Sequence, residues 1–134
     1  MIATRRAAAI LLLGFLSLCA CNPFGIGEDR GFCSDEFVTV QFWVVDSSGM
    51  GQGAFTLTVT NLRTNEIYDV EQHANGEGRY YALDDSFRRD LRSKGDPIHV
   101  RGEEGARVFD ADFVVGAGEC HIHKFSGPDT VVVN

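Results

Sequence analysis

The sequence is poor in basic residues. It has 12 lysine and arginine residues against 19 aspartate and glutamate residues, which gives a formal net charge of −7 at pH 7. Proteins that bind nucleic acids or anionic lipid head groups use basic surfaces that displace counterions. The charge balance therefore argues against both kinds of partner, and we expect no binding to nucleic acid.

The sequence also lacks the short motifs of several common enzyme classes. It contains no Walker-type phosphate loop, no G-x-S-x-G nucleophile elbow and no D-x-D-x-D-G calcium loop. Five serines of the chain are predicted to lie in turns or at a helix cap, which argues against a role as nucleophiles: Ser47, Ser48, Ser86, Ser93 and Ser126. We therefore expect no catalytic residue, no cofactor and no enzymatic activity.

No apolar segment near the start of the chain is long enough to span a membrane. The apolar segment at residues 7–18 has twelve residues, whereas a membrane-spanning helix needs about 20. Arg5 and Arg6 lie just before it. A basic segment followed by a short apolar segment is typical of a signal peptide for export, so we expect residues 1–20 to be one.

The stretch "LCAC" at residues 18–21 follows this apolar segment. It resembles the lipobox of bacterial lipoproteins, with an aliphatic and a small residue at positions −3 and −1 before the lipidated cysteine. The resemblance implies cleavage before Cys21, a lipid on its sulfur, and a membrane-anchored protein with residues 21–32 as its tether. Asn22 then indicates the outer membrane if the source has two membranes. The alternatives are an ordinary secretory signal with a chance cysteine and an uncleaved anchor.

The lipobox resemblance also limits how the cysteines can pair. Cys19 would leave with the signal peptide and Cys21 would carry the lipid. Cys33 and Cys120 then remain as the only pair in an oxidising, exported compartment. We therefore expect a disulfide between Cys33 and Cys120.

Most of the remaining chain shows the two-residue period of β-strands. The clearest example is residues 55–60, where Phe55, Leu57 and Val59 alternate with threonines. Asn75 and Gly76 form the strongest hairpin-turn signal. Strands are predicted at residues 37–44, 55–60, 67–70, after the turn at residues 75–76, and at 98–101, 107–115, 120–123 and 130–133.

One short helix is predicted between these strands. Asp84 or Asp85 would cap its N terminus, Phe87 and Leu91 lie four residues apart on one face, and Gly95 suits its end. Seven or eight short strands and a single helix predict an all-β antiparallel sandwich formed by residues 33–134.

Four stretches in this region carry a family resemblance: "VVDSSG", "AFTLTVTNLRTNE", "NGEGRYYAL" and "DPIHVRGEEG". In this order they resemble the carboxypeptidase regulatory-like domain over residues 37–133. The resemblance implies a transthyretin-like, or Ig-like, β-sandwich. The proline that commonly follows the first glycine of the pattern is absent, since Gly51 and Gln52 stand there.

The stretch "CHIH" at residues 120–123 is the best candidate for a metal site. On a strand, His121 and His123 would lie on the same face, and the spacing is similar to the H-x-H iron ligands of intradiol dioxygenases. Those enzymes also need two tyrosine ligands, and residues 107–115 contain no tyrosine. Solvated strand histidines are therefore the favoured interpretation, with a metal-binding protein or a degenerate metal-dependent enzyme as the alternative.

Phe37 and Trp43 are the candidate contact residues. They lie on the strand face opposite the purely apolar residues of 37–44. The tether and a loop cover them, or they are exposed as a contact for a sugar or a protein. We expect a lipid-anchored β-sandwich of the cell envelope with a non-catalytic binding or structural role, whose partner is an envelope protein or glycan.

Replacement of the predicted lipidated cysteine tests this expectation. A Cys21→Ser variant has no sulfur for the lipid, so metabolic labelling with a radioactive fatty acid should mark the wild-type protein and not the variant. Intact mass spectrometry of the wild-type protein should show a mature chain that begins at an acylated Cys21. An unmodified N terminus upstream of residue 21 would contradict the prediction.

Overall fold

The computed structural model describes residues 32–72 and 77–134 and confirms the predicted all-β sandwich. Within these residues the chain forms eight strands and one short 3-10 helix, Asp85–Asp90. The strands are β1 (Thr39–Val45), β2 (Thr56–Asn61), β3 (Glu66–Tyr68), β4 (Arg79–Asp84), β5 (Asp96–Glu104), β6 (Arg107–Ala117), β7 (Ile122–Ser126) and β8 (Thr130–Val132). The predicted signal peptide, Cys21 and the hairpin turn at Asn75 and Gly76 lie outside the described residues.

The strands form two sheets. One has three strands in the order β4-β1-β8, and the other has five in the order β3-β2-β5-β6-β7. Neighbouring strands are antiparallel, except that β8 runs parallel to β1. This exception arises because the chain crosses from β7 in the larger sheet to β8 in the smaller one, instead of turning back in a hairpin.

Aromatic rings join the two sheets in the core. Phe42 of β1 is fully buried. The centre of its ring lies 6.0 Å from that of Tyr80 in its own sheet, and 6.0 and 5.4 Å from those of Phe109 and Phe113 in the other sheet. Burial of such a side chain stabilises the fold by about 1.5–3 kcal/mol. The apolar residues of the alternation predicted for residues 37–44 thus lie on the inner face of the smaller sheet, as the burial of Val40, Phe42 and Val44 shows.

The helix differs in type and length from the prediction. Leu91 follows the 3-10 helix in an extended conformation, and its amide donates to the carbonyl of Arg88 at 3.4 Å. Just after the helix, Nε of Arg92 donates to the carboxylate of Asp96 at 2.6 Å. The six residues of the 3-10 helix make about two turns, and the chain then enters β5 at Asp96.

The strand predicted at residues 120–123 begins two residues later, as β7. Cys120 and His121 therefore precede the strand, and only His123 lies on it. The physical reason is that Cys120 is bonded to Cys33 and His121 contacts the carboxylate of Asp85, so neither residue pairs with β6.

Asp96 is a fully buried carboxylate at the start of β5. Arg63 donates to it through Nε at 2.7 Å and Nη2 at 2.9 Å, and Arg92 through Nε at 2.6 Å. Asn61, also fully buried, donates to Asp96 at 3.3 Å and to the hydroxyl of Tyr68 at 3.0 Å. The hydrogen bonds from Arg63 outweigh desolvation and hold the pKa of Asp96 well below its usual range.

Residues Cys33–Asn134 form one compact unit. Among the residues described in it, no helix combines the length and apolar character needed to cross a bilayer.

An Asp96→Asn variant keeps the size of the side chain and removes its charge. We expect it to lower the free energy of unfolding at neutral pH by about 2–4 kcal/mol, because two arginines lose their charged acceptor. The pKa of Asp96 is depressed in the folded state, so its contribution is present above the unfolded value of about 4 and is lost as the pH falls below it. Urea denaturation measures both effects.

The matched control is Asp129→Asn, since the side chain of Asp129 is 94% exposed. It should change the free energy of unfolding by less than about 0.5 kcal/mol. Equal effects of the two substitutions would show that the buried network does not stabilise the fold.

Candidate functional site

A cleft of about 290 Å³ opens at one end of the three-stranded sheet, where β1 begins and β4 ends. This is close to the lower limit of about 300 Å³ for sites that bind small molecules. Its walls are the start of β1, the end of β4, the 3-10 helix and the segment after β3. The lining residues are Phe37, Thr39, Asp69, Glu71, Tyr81, Asp84, Ser86 and Phe87.

Asp85 holds two of these walls together. Its carboxylate accepts hydrogen bonds from the amides of Val38 and Ile122, each at 2.8 Å. Its own amide donates to the carbonyl of Val38 at 3.0 Å. Val38 and Asp85 therefore donate a hydrogen bond to each other. Because their chain neighbours line the cleft, this pair fixes the width of the cleft at this point.

Gln72 fixes the opposite wall. Its side-chain amide donates to the carbonyl of Tyr81 at 2.8 Å and accepts from the amide of Tyr81 at 2.9 Å. The side chain of Gln72 thus replaces a neighbouring strand at this position of β4. As a result, the segment that carries Asp69 and Glu71 lies beside Tyr81.

Phe87 connects the cleft to the buried Asp96 network. Its ring stacks on that of Tyr68, with the ring centres 4.7 Å apart. Tyr68 in turn accepts the hydrogen bond from Asn61, which also donates to Asp96. One wall of the cleft is therefore supported by a polar cluster whose central residues, Asn61 and Asp96, are fully buried.

The cleft is rich in hydrogen-bond acceptors and in aromatic surface. Carboxylates come from Asp69, Glu71 and Asp84, and hydroxyls come from Thr39 and Ser86. None of the described residues that line the cleft is basic. Ionised carboxylates accept hydrogen bonds and cannot donate them. The lining therefore suits a neutral or cationic ligand that presents hydroxyl or amino groups next to apolar surface.

The structure separates the two predicted contact residues. Phe37 is 62% exposed and lines the cleft. Trp43 is 39% exposed and lies outside the cleft, on the outer face of the same sheet beside Arg79 and Thr130. Only Phe37 belongs to the concave site.

The predicted disulfide is present. Cys33 and Cys120 are bonded across a sequence separation of 87 residues. The disulfide brings the residue after each cysteine together, so that the hydroxyl of Ser34 lies 3.1 Å from Nε2 of His121. Nδ1 of the same ring lies 2.7 Å from the carboxylate of Asp85.

The two histidines predicted as metal ligands have different surroundings. Both ring nitrogens of His121 are within hydrogen-bond distance of protein groups. His123 is exposed on β7, opposite Gly116 of β6. In the described part of the chain, no group of three or more histidine, cysteine, aspartate or glutamate side chains is arranged to hold a metal ion. Metal binding by this pair stays a prediction.

Asp85 is ionised in this setting. Burial alone would raise its pKa, but the hydrogen bonds from Val38, Ile122 and His121 outweigh burial and lower the pKa below its usual value. The carboxylate is therefore an acceptor for all three groups at neutral pH.

Nothing in the local sequence marks Ser34 or Tyr81 as part of a site. Asp85 is visible only as one of two possible helix caps, and it is Asp84 that caps the helix, by accepting from the amide of Ser86 at 2.8 Å. The one usable signal is the cysteine pairing, since residues that follow two bridged cysteines must lie near each other.

The neighbouring aspartates offer a matched pair of substitutions. Asp85→Asn removes the charge of a partly buried carboxylate and replaces one of its two acceptor oxygens by a donor, so the free energy of unfolding should fall by about 2–4 kcal/mol. Asp84→Asn should cost less than about 0.5 kcal/mol, because asparagine caps helices as well as aspartate does. Urea denaturation of both variants measures the difference. Similar losses in the two variants would contradict the role given to Asp85.

Comparison with known proteins found no matching family model, no matching curated protein and no matching solved structure.

Proposed function

We propose that this chain is an exported, lipid-anchored binding domain of the bacterial cell envelope, and that its cleft holds a sugar ring of an envelope glycan. The observation that carries this proposal is the lining of the cleft. Aromatic rings stand there beside carboxylates and hydroxyls, and no described lining residue is basic.

A sugar ring matches this lining in two ways. Its hydroxyl groups donate hydrogen bonds, which Asp69, Glu71 and Asp84 can accept. Its C–H faces are apolar and pack against aromatic rings, of which Phe37 is the most accessible at 62% exposure. An acidic glycan fits poorly, because its carboxylates or phosphates would be repelled.

Export and anchoring are supported by two independent features. The disulfide between Cys33 and Cys120 is typical of proteins in oxidising compartments outside the cytoplasm. The lipobox-like stretch ending at Cys21 supplies the anchor, with the outer membrane as the location if the source has two membranes. The cleft would then face the envelope from the membrane surface.

Membership of the carboxypeptidase regulatory-like family is part of the same proposal. It is supported by the turn and strand stretches at residues 44–49, 54–66, 75–83 and 96–105. The eight-stranded, two-sheet sandwich is consistent with the transthyretin-like fold that the resemblance implies.

The test is a titration of the lipid-free Cys21→Ser protein with neutral and acidic envelope glycan fragments, followed by isothermal titration calorimetry. Phe37→Ala should weaken binding of a neutral fragment about threefold to tenfold, because one stacking ring contributes about 0.5–1.5 kcal/mol. Ile67→Ala is the matched control, since Ile67 is 67% exposed and lies on the other sheet.

Three outcomes of this titration would contradict the glycan proposal. The first is that neutral fragments do not bind. The second is that Phe37→Ala and Ile67→Ala lose affinity equally, and the third is that Phe37→Ala leaves the affinity unchanged. A pull-down from solubilised envelopes with wild type and Phe37→Ala then decides whether a protein occupies the cleft instead. Loss of a captured protein in the variant alone would assign the cleft to that protein.

A further inference from the structure

Ser34, His121 and Asp85 are connected in the order that activates a serine hydroxyl. The Ser34 oxygen lies 3.1 Å from Nε2 of His121, and Nδ1 of His121 lies 2.7 Å from the carboxylate of Asp85. We propose that Ser34 is a nucleophile that accepts acyl groups from carboxylic esters, with His121 as its general base and Asp85 as the positioning residue.

The disulfide builds this arrangement. Ser34 and His121 each follow one of the two bridged cysteines, so a single covalent bond holds them together across 87 positions of sequence. Their contact does not depend on a long stretch of packed chain. Ser34 itself is exposed, which leaves its hydroxyl open to an ester arriving from solvent.

Asp85 determines which nitrogen of His121 is free to act as a base. An ionised carboxylate can only accept, so Nδ1 carries a proton and donates a hydrogen bond to Asp85. The lone pair of Nε2 then faces the hydroxyl of Ser34. Asp85 cannot turn away, because it also accepts the amides of Val38 and Ile122. This is the division of roles seen in nucleophile, base and orienting groups of acyl transfer.

The reaction balances with water as the only co-substrate. In the first step a bond forms between the oxygen of Ser34 and the acyl carbon, and the bond from that carbon to the alcohol oxygen breaks. The hydroxyl proton passes to Nε2 of His121 and from there to the leaving alcohol. In the second step water attacks the acyl carbon, His121 again carries the proton, and the carboxylic acid and free Ser34 are released.

This activity goes beyond the proposed binding function and uses none of the residues that line the cleft. It differs from the expectation, drawn from sequence motifs, of no catalytic residue and no enzymatic activity, and the experiment below decides between the two. Failure of either proposal therefore leaves the other standing.

Ser48 provides an internal comparison. Its hydroxyl donates directly to the carboxylate of Asp46 at 2.6 Å, in an exposed turn. Ser48 therefore contacts a carboxylate directly, whereas Ser34 contacts a histidine that in turn contacts a carboxylate. A general base accelerates such reactions by about 10²–10⁴, so Ser34 should react at least about 100-fold faster than Ser48.

The experiment treats the full chain, extracted with its anchor in detergent, with a fluorophosphonate probe, and locates the adduct by peptide mass spectrometry. Wild type and Ser48→Ala should be labelled at Ser34, and Ser34→Ala should not be labelled. His121→Gln should slow labelling at least about 100-fold. Hydrolysis of p-nitrophenyl acetate should follow the same order.

Ser34→Ala is the decisive variant, because an exposed hydroxyl is removed and the fold is unaffected. Near-UV circular dichroism of each variant checks that the fold is intact. The proposal is overturned if wild-type protein is not labelled, if Ser34→Ala is labelled as fast as wild type, or if a folded His121→Gln reacts at the wild-type rate.

Discussion

The carboxylate of Asp85 is the interaction on which both sites depend. It accepts hydrogen bonds from the amides of Val38 and Ile122 and from Nδ1 of His121. A single side chain thus joins the start of the smaller sheet, the 3-10 helix and the edge strand of the larger sheet. A charge that is partly withdrawn from water needs hydrogen bonds to replace its lost hydration, and these three donors supply them here. Removal of the carboxylate would leave two amides and an imidazole without their acceptor.

The segment from Cys33 to Thr39 links the two sites. The disulfide fixes its first residue, and Asp85 fixes Val38 near its end. Ser34 lies at one end of this segment beside His121, and Phe37 lies towards the other end in the cleft. In the chain-entropy model, closing a loop of this length removes at most about 4–5 kcal/mol of unfolded-state entropy. The disulfide therefore stabilises the fold and positions both sites through the same short stretch.

The alternation of apolar residues predicted most of the fold, because a two-residue period directly reports which face of a strand is buried. It predicted the inner face of β1 and the all-β architecture, and the lipobox resemblance, which leaves Cys33 and Cys120 to pair, implied the disulfide. The helix type could not be predicted, because the local apolar spacing and capping residues do not distinguish a short 3-10 helix from a short α-helix. The cleft could not be predicted for a similar reason: Gln72 binds the backbone of Tyr81, and Asp85 binds residues 47 and 37 positions away along the chain. Of the residues that line the cleft, only Phe37 is predicted as a contact residue, from its place on the strand face.

The role of Asp85 is tested most directly by native-state hydrogen exchange, followed by NMR. The amides of Val38 and Ile122 should exchange slowly, through large-scale opening, because both donate to the same partly buried carboxylate. The amide of Ser48 donates to Asp46 in an exposed turn and should exchange far faster through local opening. If Val38 and Ile122 exchange as fast as Ser48 in the folded protein, Asp85 does not hold the two sites together and the account is contradicted.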